Sequence, residues 1–137
     1  MEYKEYKKVF TERPCQDAID WLETQPNLAT AWDNCERGDW LWWALRKSGN
    51  SPTKETSAQY AKWCVGRAKK HATAASSAAA VYASVAAVYA AAAVSDASAA
   101  STVAVYAADA YADADAERLA QAEWIREHVD NPWKAGE

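Results

Sequence analysis

The sequence predicts an all-α protein, a single-domain helical bundle with three short N-terminal helices and long Ala-rich C-terminal helices. Residues 72–122 are about half alanine and contain no glycine or proline, and alanine has the highest intrinsic helix propensity. Apolar residues elsewhere recur three and four positions apart, as they do along one face of a helix. Helix-capping residues stand between these segments, which sets the number of helices.

The chain has 137 residues, enough for one domain with a single core. Residues 1–48 form a Trp-rich set of short helices, residues 51–71 a basic helix, and residues 72–130 the Ala-rich helices. A straight helix over residues 72–122 would be about 76 Å long, whereas a domain of this size has a radius of gyration of about 14 Å. We therefore expect a break near residues 95–101, where serine and aspartate can cap a new helix.

The short helices are placed from their caps. Residues 1–10 form either a short docked helix or a frayed arm. Thr11 is the expected N-cap of a helix over residues 14–24, and a second helix starts at residues 26–27. Gly38 is the expected C-cap of that helix and Asp39 the N-cap of a third helix over residues 40–47. The Arg-Gly-Asp sequence at 37–39 is therefore interpreted as a turn.

The second half of the chain has equally clear boundaries. Residues 48–52 form a loop, after which Ser51 or Thr53 caps the basic helix. The last helix is expected to stop at residues 130–132, because proline cannot continue a helix and restricts the residue before it.

Tryptophan provides the first candidate binding residues. Trp40, Trp42 and Trp43 lie in one short helix, where neighbouring positions point about 100° apart. They cannot all face the same core. At least one should pack under the Ala-rich helices, which is the expected arrangement, or remain exposed for a partner.

Carboxylates provide the second set. Asp109, Asp113 and Glu117 are spaced four apart and predict an acidic ridge along one helix. Such a ridge is most often a solvated surface, but it could bind a basic protein or a cation. We take it and the three tryptophans as candidate partner-binding residues.

Charge and composition exclude several classes. The net charge is −4, with a basic segment at residues 46–71 and an acidic one at 72–123, which are expected to pack against each other. An acidic chain does not favour nucleic-acid binding. The uncharged residues 72–95 are long enough to cross a membrane, but alanine and serine insert poorly, so no membrane span is expected.

Cysteine and histidine predict no site. Three cysteines without a CxxC pair indicate buried free thiols; the first ten residues lack a signal-peptide pattern, and we expect a cytoplasmic protein. His71 and His128 have no metal-ligand spacing. No nucleophile and base pair or phosphate-binding loop is visible, so we predict a protein that is not an enzyme and has no cofactor or metal.

Two segments carry a resemblance. Residues 14–22, PCQDAIDWL, and 31–45, AWDNCERGDWLWWAL, are similar to the opening of a group of phage and bacterial helical proteins, in which an Ala/Tyr/Asp-rich helical tract follows. Residues 121–133 resemble the ending of that group. Some members are described as Imm-5-like immunity proteins. The resemblance implies an all-α fold and no catalytic residues.

The leading hypothesis is a non-enzymatic protein-binding module of a phage or mobile element. It would act as an immunity or anti-defence protein in the cytoplasm of a bacterial or phage-infected host, by blocking a toxin or host-defence factor. The alternative is a structural homo-oligomer joined through its Ala-rich helices. A membrane-associated phage protein and an ice-binding protein are weaker alternatives, since the latter requires a regular repeat that we do not find.

Overall fold

A computed structural model of the chain describes residues 1–72, 100–102, 104 and 114–134. All the regular elements in these ranges are helical, and the all-α prediction is confirmed. The helices are α1 (Tyr3–Tyr6), α2 (Gln16–Glu23), α3 (Leu28–Asn34), α4 (Gly38–Lys47), α5 (Lys54–Ala72) and α6 (Ala114–His128). Residues 100–102 and 104 are helical as well.

Most of the Ala-rich segment lies outside this description. Of the break expected near residues 95–101, only 100 and 101 are described, and both are helical. The predicted stop at residues 130–132 is confirmed, since α6 ends at His128. No helix among the described residues is both long and apolar enough to cross a membrane.

Local sequence explains several of the helix starts. The Asn27 side chain accepts a hydrogen bond from the Thr30 N–H at 2.8 Å and thereby caps α3. The Thr53 hydroxyl accepts one from the Thr56 N–H at 3.1 Å, which caps α5. Both bonds satisfy N–H groups that have no partner within the first helical turn. The helix start predicted at residues 26–27 is confirmed, and of the two caps offered for the basic helix the structure has Thr53.

The start of α2 differs from the prediction. Thr11 is not its cap, because the Thr11 N–H donates to the carbonyl of Lys47 at 2.7 Å and fixes this segment against the end of α4. Cys15 occupies the N-cap position without a side-chain hydrogen bond. It is exposed, so the prediction of buried free thiols holds for Cys35 and Cys64 and is wrong for Cys15.

Gly38 has a different role from the predicted C-cap. It is the first residue of α4, with Arg37 at the N-cap, and α3 is capped by Cys35. A Cβ atom at position 38 would lie 2.5 Å from the Gln121 Cβ and 2.9 Å from the Ala122 nitrogen. Glycine is therefore required here by the close approach of α4 and α6, which a cap rule cannot detect.

The main core lies between α4, α5 and α6. Trp42, Leu45, Tyr60 and Ile125 have essentially no exposed surface. The rings of Trp42 and Tyr60 stack with centroids 4.4 Å apart, and Trp124 lies 5.1 Å from Tyr60. Stacked aromatic rings fill the volume that the small alanine side chains leave open.

A second, smaller cluster joins the N-terminal segment to α2 and α3. Tyr6, Phe10, Leu22 and Ala31 form it. Residues 1–10 therefore pack against α2 and α3, as expected for a docked segment and not for a frayed arm. Trp133 packs against both clusters.

The C-terminal segment is held by polar contacts to α3. The Asn131 amide donates to the Ala29 carbonyl at 3.0 Å. The Arg126 guanidinium donates to the carbonyls of Trp32 and Cys35. These bonds place Trp133 beside α3, where it forms part of the wall of an apolar cavity.

Candidate functional site

An apolar cavity of about 380 Å³ lies between α2, α3, α4 and the C-terminal segment, and it opens to solvent. Its size falls within the range of small-ligand and anchor pockets. We call it the aromatic cavity, because its walls include Phe10, Trp21, Trp32, Trp40, Trp43 and Trp133.

The aromatic walls contact one another in two groups, a pair of rings from α2 and α4 and a series of four rings in which Phe10 also contacts Trp133 at 6.2 Å. The ring centroids of Trp21 and Trp40 are 6.0 Å apart. Those of Phe10 and Trp43 are 5.3 Å apart, and those of Trp32 and Trp133 are 5.9 Å apart. Tilted and edge-to-face contacts at these distances are favourable. The walls are therefore supported by their neighbours and form a largely preformed site.

An ion pair borders the cavity. Arg37 donates from Nε to Asp39 Oδ1 at 3.0 Å and from Nη2 to Asp39 Oδ2 at 2.6 Å. The hydrogen bond to Asp39 raises the pKa of the Arg37 guanidinium, which stays charged. The guanidinium carbon lies 4.6 Å from the centre of the Trp40 ring. This cation–π contact holds Trp40 in place at the edge of the cavity.

Two cysteines also line the cavity and differ in chemistry. Cys35 is buried, its Sγ–H donates to the Arg37 carbonyl at 3.4 Å, and burial raises the pKa of its thiol to about 11. Cys15 is exposed. Only Cys15 is accessible to a reagent in solvent, because a buried neutral thiol is a poor nucleophile.

The three tryptophans predicted to bind a partner differ in their exposure to solvent. Trp40 and Trp43 are partly exposed and line the cavity. Trp42 has no exposed surface and stacks on Tyr60 in the core. The prediction that Trp42 contributes to a binding surface is therefore wrong. Its burial agrees with the expectation that at least one of the three tryptophans packs inside the fold.

Of the three residues of the predicted acidic ridge, the structure describes only Glu117, and Glu117 does not lie on the surface. Asp109 and Asp113 lie outside the described residues. Glu117 is only 1% exposed and accepts from Arg67 Nε at 3.0 Å and from Nη2 at 2.9 Å. Assigning Glu117 to a surface ridge is wrong, because this carboxylate neutralises the cation of α5 inside the fold. The contact joins the basic and acidic segments, as expected.

Several residues of the cavity were not singled out in the sequence. Trp21, Trp32 and Trp133 come from three separate segments, and the Arg37 and Asp39 pair was interpreted only as a turn. The sequence signal was the high tryptophan content, eight in 137 residues. It could not show which of them converge.

The described residues contain no cluster of three or more metal-ligating side chains. His128 stacks on Trp124 with centroids 3.9 Å apart, and its Nδ1 lies 2.7 Å from the Trp124 carbonyl oxygen. It is therefore part of the core edge. The aromatic cavity offers an apolar surface with the Arg37 and Asp39 ion pair at its edge. This arrangement is suited to holding an apolar group.

Comparison of the chain with protein-family models, with curated proteins and with solved structures finds no match. Its fold and cavity define it as an all-α protein with an open, aromatic-lined cavity. The resemblance to Imm-5-like immunity proteins stays a prediction.

Proposed function

We propose that this protein is a non-enzymatic binding module that takes an apolar anchor of a protein partner into the aromatic cavity. One observation carries the proposal. The cavity is open and apolar, and Trp40 and Trp43 line it without being buried in the core. In protein interfaces a few residues, enriched in Trp, Tyr and Arg and packed in desolvated pockets, carry most of the binding energy.

The proposed role is to block the partner. The sequence resemblance points to an immunity or anti-defence protein of a phage or mobile element, whose partner is a toxin or a host-defence factor. Such a protein needs a surface that fits its target and no catalytic groups of its own. A preformed cavity suits this role, because little ordering cost accompanies binding.

Affinity capture from a bacterial lysate tests the proposal with a matched pair of variants. Trp40 and Trp63 are both partly buried and each lies under an arginine, at 4.6 Å from Arg37 and 4.9 Å from Arg67 respectively. Only Trp40 lines the cavity. We expect wild type and Trp63→Ala to retain the same protein, and Trp40→Ala to lose it.

Thermal unfolding of both variants checks that each is folded at the temperature of capture. Equal retention by all three proteins contradicts the proposal, because the partner would then bind elsewhere. Retention of no protein by wild type contradicts it as well.

A further inference from the structure

Trp32 is the most deeply buried tryptophan in the wall of the aromatic cavity. It is 3% exposed, whereas the other four tryptophans of the wall are partly exposed. Its ring packs against Trp133 with centroids 5.9 Å apart, and its main-chain carbonyl accepts from Arg126 Nη1 at 3.3 Å. The indole ring of Trp32 is therefore held at a fixed place in the wall.

The indole N–H of Trp32 lacks a hydrogen-bond acceptor in the part of the chain that the structure describes. It is not sealed from solvent, because the sealed side-chain atoms without a partner in those ranges are the hydroxyls of Tyr6, Ser57 and Tyr60. Trp32 lines the cavity and is otherwise enclosed. Solvent therefore reaches this N–H through the cavity.

An occupant of the cavity has to replace that solvent. A group that displaces water from an N–H without offering an acceptor loses affinity, because the buried donor is left unpaired. A hydrocarbon occupant would leave the Trp32 N–H in this condition. The wall thus favours an occupant that is apolar over most of its surface and carries one acceptor atom.

Volume and acceptor chemistry together limit the anchor side chain. A cavity of about 150 Å³ accommodates benzene, so 380 Å³ accommodates a substituted aromatic ring. Phenylalanine and leucine have no acceptor, tryptophan has only a donor, and the methionine sulfur is a weak acceptor. Tyrosine has an apolar ring and a hydroxyl that both accepts and donates. Asp39 and Ser101, which also line the cavity, are acceptors for the hydroxyl proton.

We infer that the anchor taken into the aromatic cavity is a tyrosine of the partner protein, with its ring among the tryptophans and its hydroxyl accepting a hydrogen bond from the Trp32 indole N–H. The inference rests on the proposed function and adds the chemistry of the anchor.

Two side-chain analogues test the inference, p-cresol for tyrosine and toluene for phenylalanine. Isothermal titration calorimetry gives the dissociation constant of each. A cavity without a hydrogen-bonding group binds toluene more tightly, because burial of an unpaired hydroxyl is unfavourable. We expect the opposite order, with p-cresol bound about threefold to tenfold more tightly than toluene, as one net hydrogen bond provides.

Proton–nitrogen NMR of the wild-type protein reports on the hydrogen bond itself. The signal of the Trp32 indole N–H is assigned in the free protein and followed during both titrations. An N–H proton that donates to oxygen moves downfield. Because the two analogues share the same ring, p-cresol should move this signal downfield relative to toluene.

Two variants of the protein form a matched pair. Trp32→Phe keeps an aromatic ring in the wall and removes the N–H, so it should reverse the order and bind toluene more tightly. Trp43→Phe makes the same replacement at a partly exposed position of the wall and should keep the preference for p-cresol. Thermal unfolding checks that both variants are folded, and the NMR titration of wild type decides the inference if Trp32→Phe is not.

Each contrary result has a distinct meaning. Toluene binding to wild type as tightly as p-cresol, or more tightly, overturns the tyrosine anchor and leaves the proposed function intact. An unchanged preference for p-cresol in Trp32→Phe, or no downfield movement of the Trp32 signal, overturns it because the hydroxyl would bond elsewhere. Binding of neither analogue also overturns it, while capture from lysate decides the proposed function separately.

Discussion

Replacement of Gly38 by alanine tests the packing that positions the cavity. The new Cβ would lie 2.5 Å from the Gln121 Cβ and 2.9 Å from two main-chain atoms of α6, the Gln121 carbonyl carbon and the Ala122 nitrogen. Real Cβ atoms do not approach other atoms so closely. Because α6 main-chain atoms cannot rotate away as a side chain does, α4 and α6 must separate.

The magnitude follows from two opposing effects. Overpacking of a core costs about 1–3 kcal/mol, and contact with main chain favours the upper part of that range. Alanine in place of glycine in a helix gains about 0.5–1 kcal/mol. Gly38→Ala should therefore lower the free energy of unfolding by about 1–2 kcal/mol, which corresponds to a fall in Tm of about 3–8 °C for a chain of this length.

Gly66→Ala is the matched control. Gly66 lies within α5, and a Cβ atom there would meet no atom within 4 Å. This variant should be more stable than wild type by about 0.5–1 kcal/mol. Urea unfolding followed by circular dichroism measures both values. A Gly38→Ala protein as stable as Gly66→Ala would refute the close approach of α4 and α6.

Three further predictions concern polar groups and thiols. Glu117→Ala should lower the free energy of unfolding by about 1–3 kcal/mol, because it removes the bidentate carboxylate that binds Arg67. Asp115→Ala is the control and removes only an exposed i,i+3 ion pair with Arg118. In the same urea titration it should cost less than about 0.5 kcal/mol. A thiol reagent at neutral pH should modify one cysteine rapidly, and Cys15→Ser should abolish that reaction, since only Cys15 is exposed; fast reaction of Cys35 or Cys64 would contradict their burial. Burial raises the pKa of Cys35 from 9.0 to about 11 and raises that of Cys64 further, so the unfolded chain releases these protons at a lower pH than the folded one, and the free energy of unfolding should fall as the pH rises above 9. Cys35 alone contributes about 1.4 kcal/mol per pH unit between pH 9 and 11; Cys35→Ala should reduce the slope by about that amount and Cys15→Ala should not.

Local features of the chain were predictable from the sequence. The caps at Asn27 and Thr53, the loop at residues 48–52 and the end of α6 all depend on residues a few positions apart. The sequence therefore placed α3, α5 and the end of α6 correctly. It also showed that Trp40, Trp42 and Trp43 could not share one face.

Long-range contacts were not predictable in the same way. Gly38 has the pattern of a helix cap, and its real constraint is the approach of α6, more than 80 residues later in the sequence. Glu117 has the spacing of a solvated ridge, and its burial depends on Arg67 in another helix. The cavity draws tryptophans from α2, α3, α4 and the C-terminal segment, so its existence depends on the tertiary arrangement of all four.

Photo-crosslinking from Cys15 shows directly whether a partner protein enters the aromatic cavity. Cys15 is exposed and lines the cavity, so a benzophenone attached to its thiol samples whatever occupies the site, and the same label on a cysteine introduced at exposed Lys62 of α5 provides the control position. Mass spectrometry of the products identifies the captured segment. We expect the Cys15 label to capture one partner segment through a large apolar residue, and Trp40→Ala to remove this product. Capture of that partner from position 62 and not from Cys15 would contradict binding at the aromatic cavity.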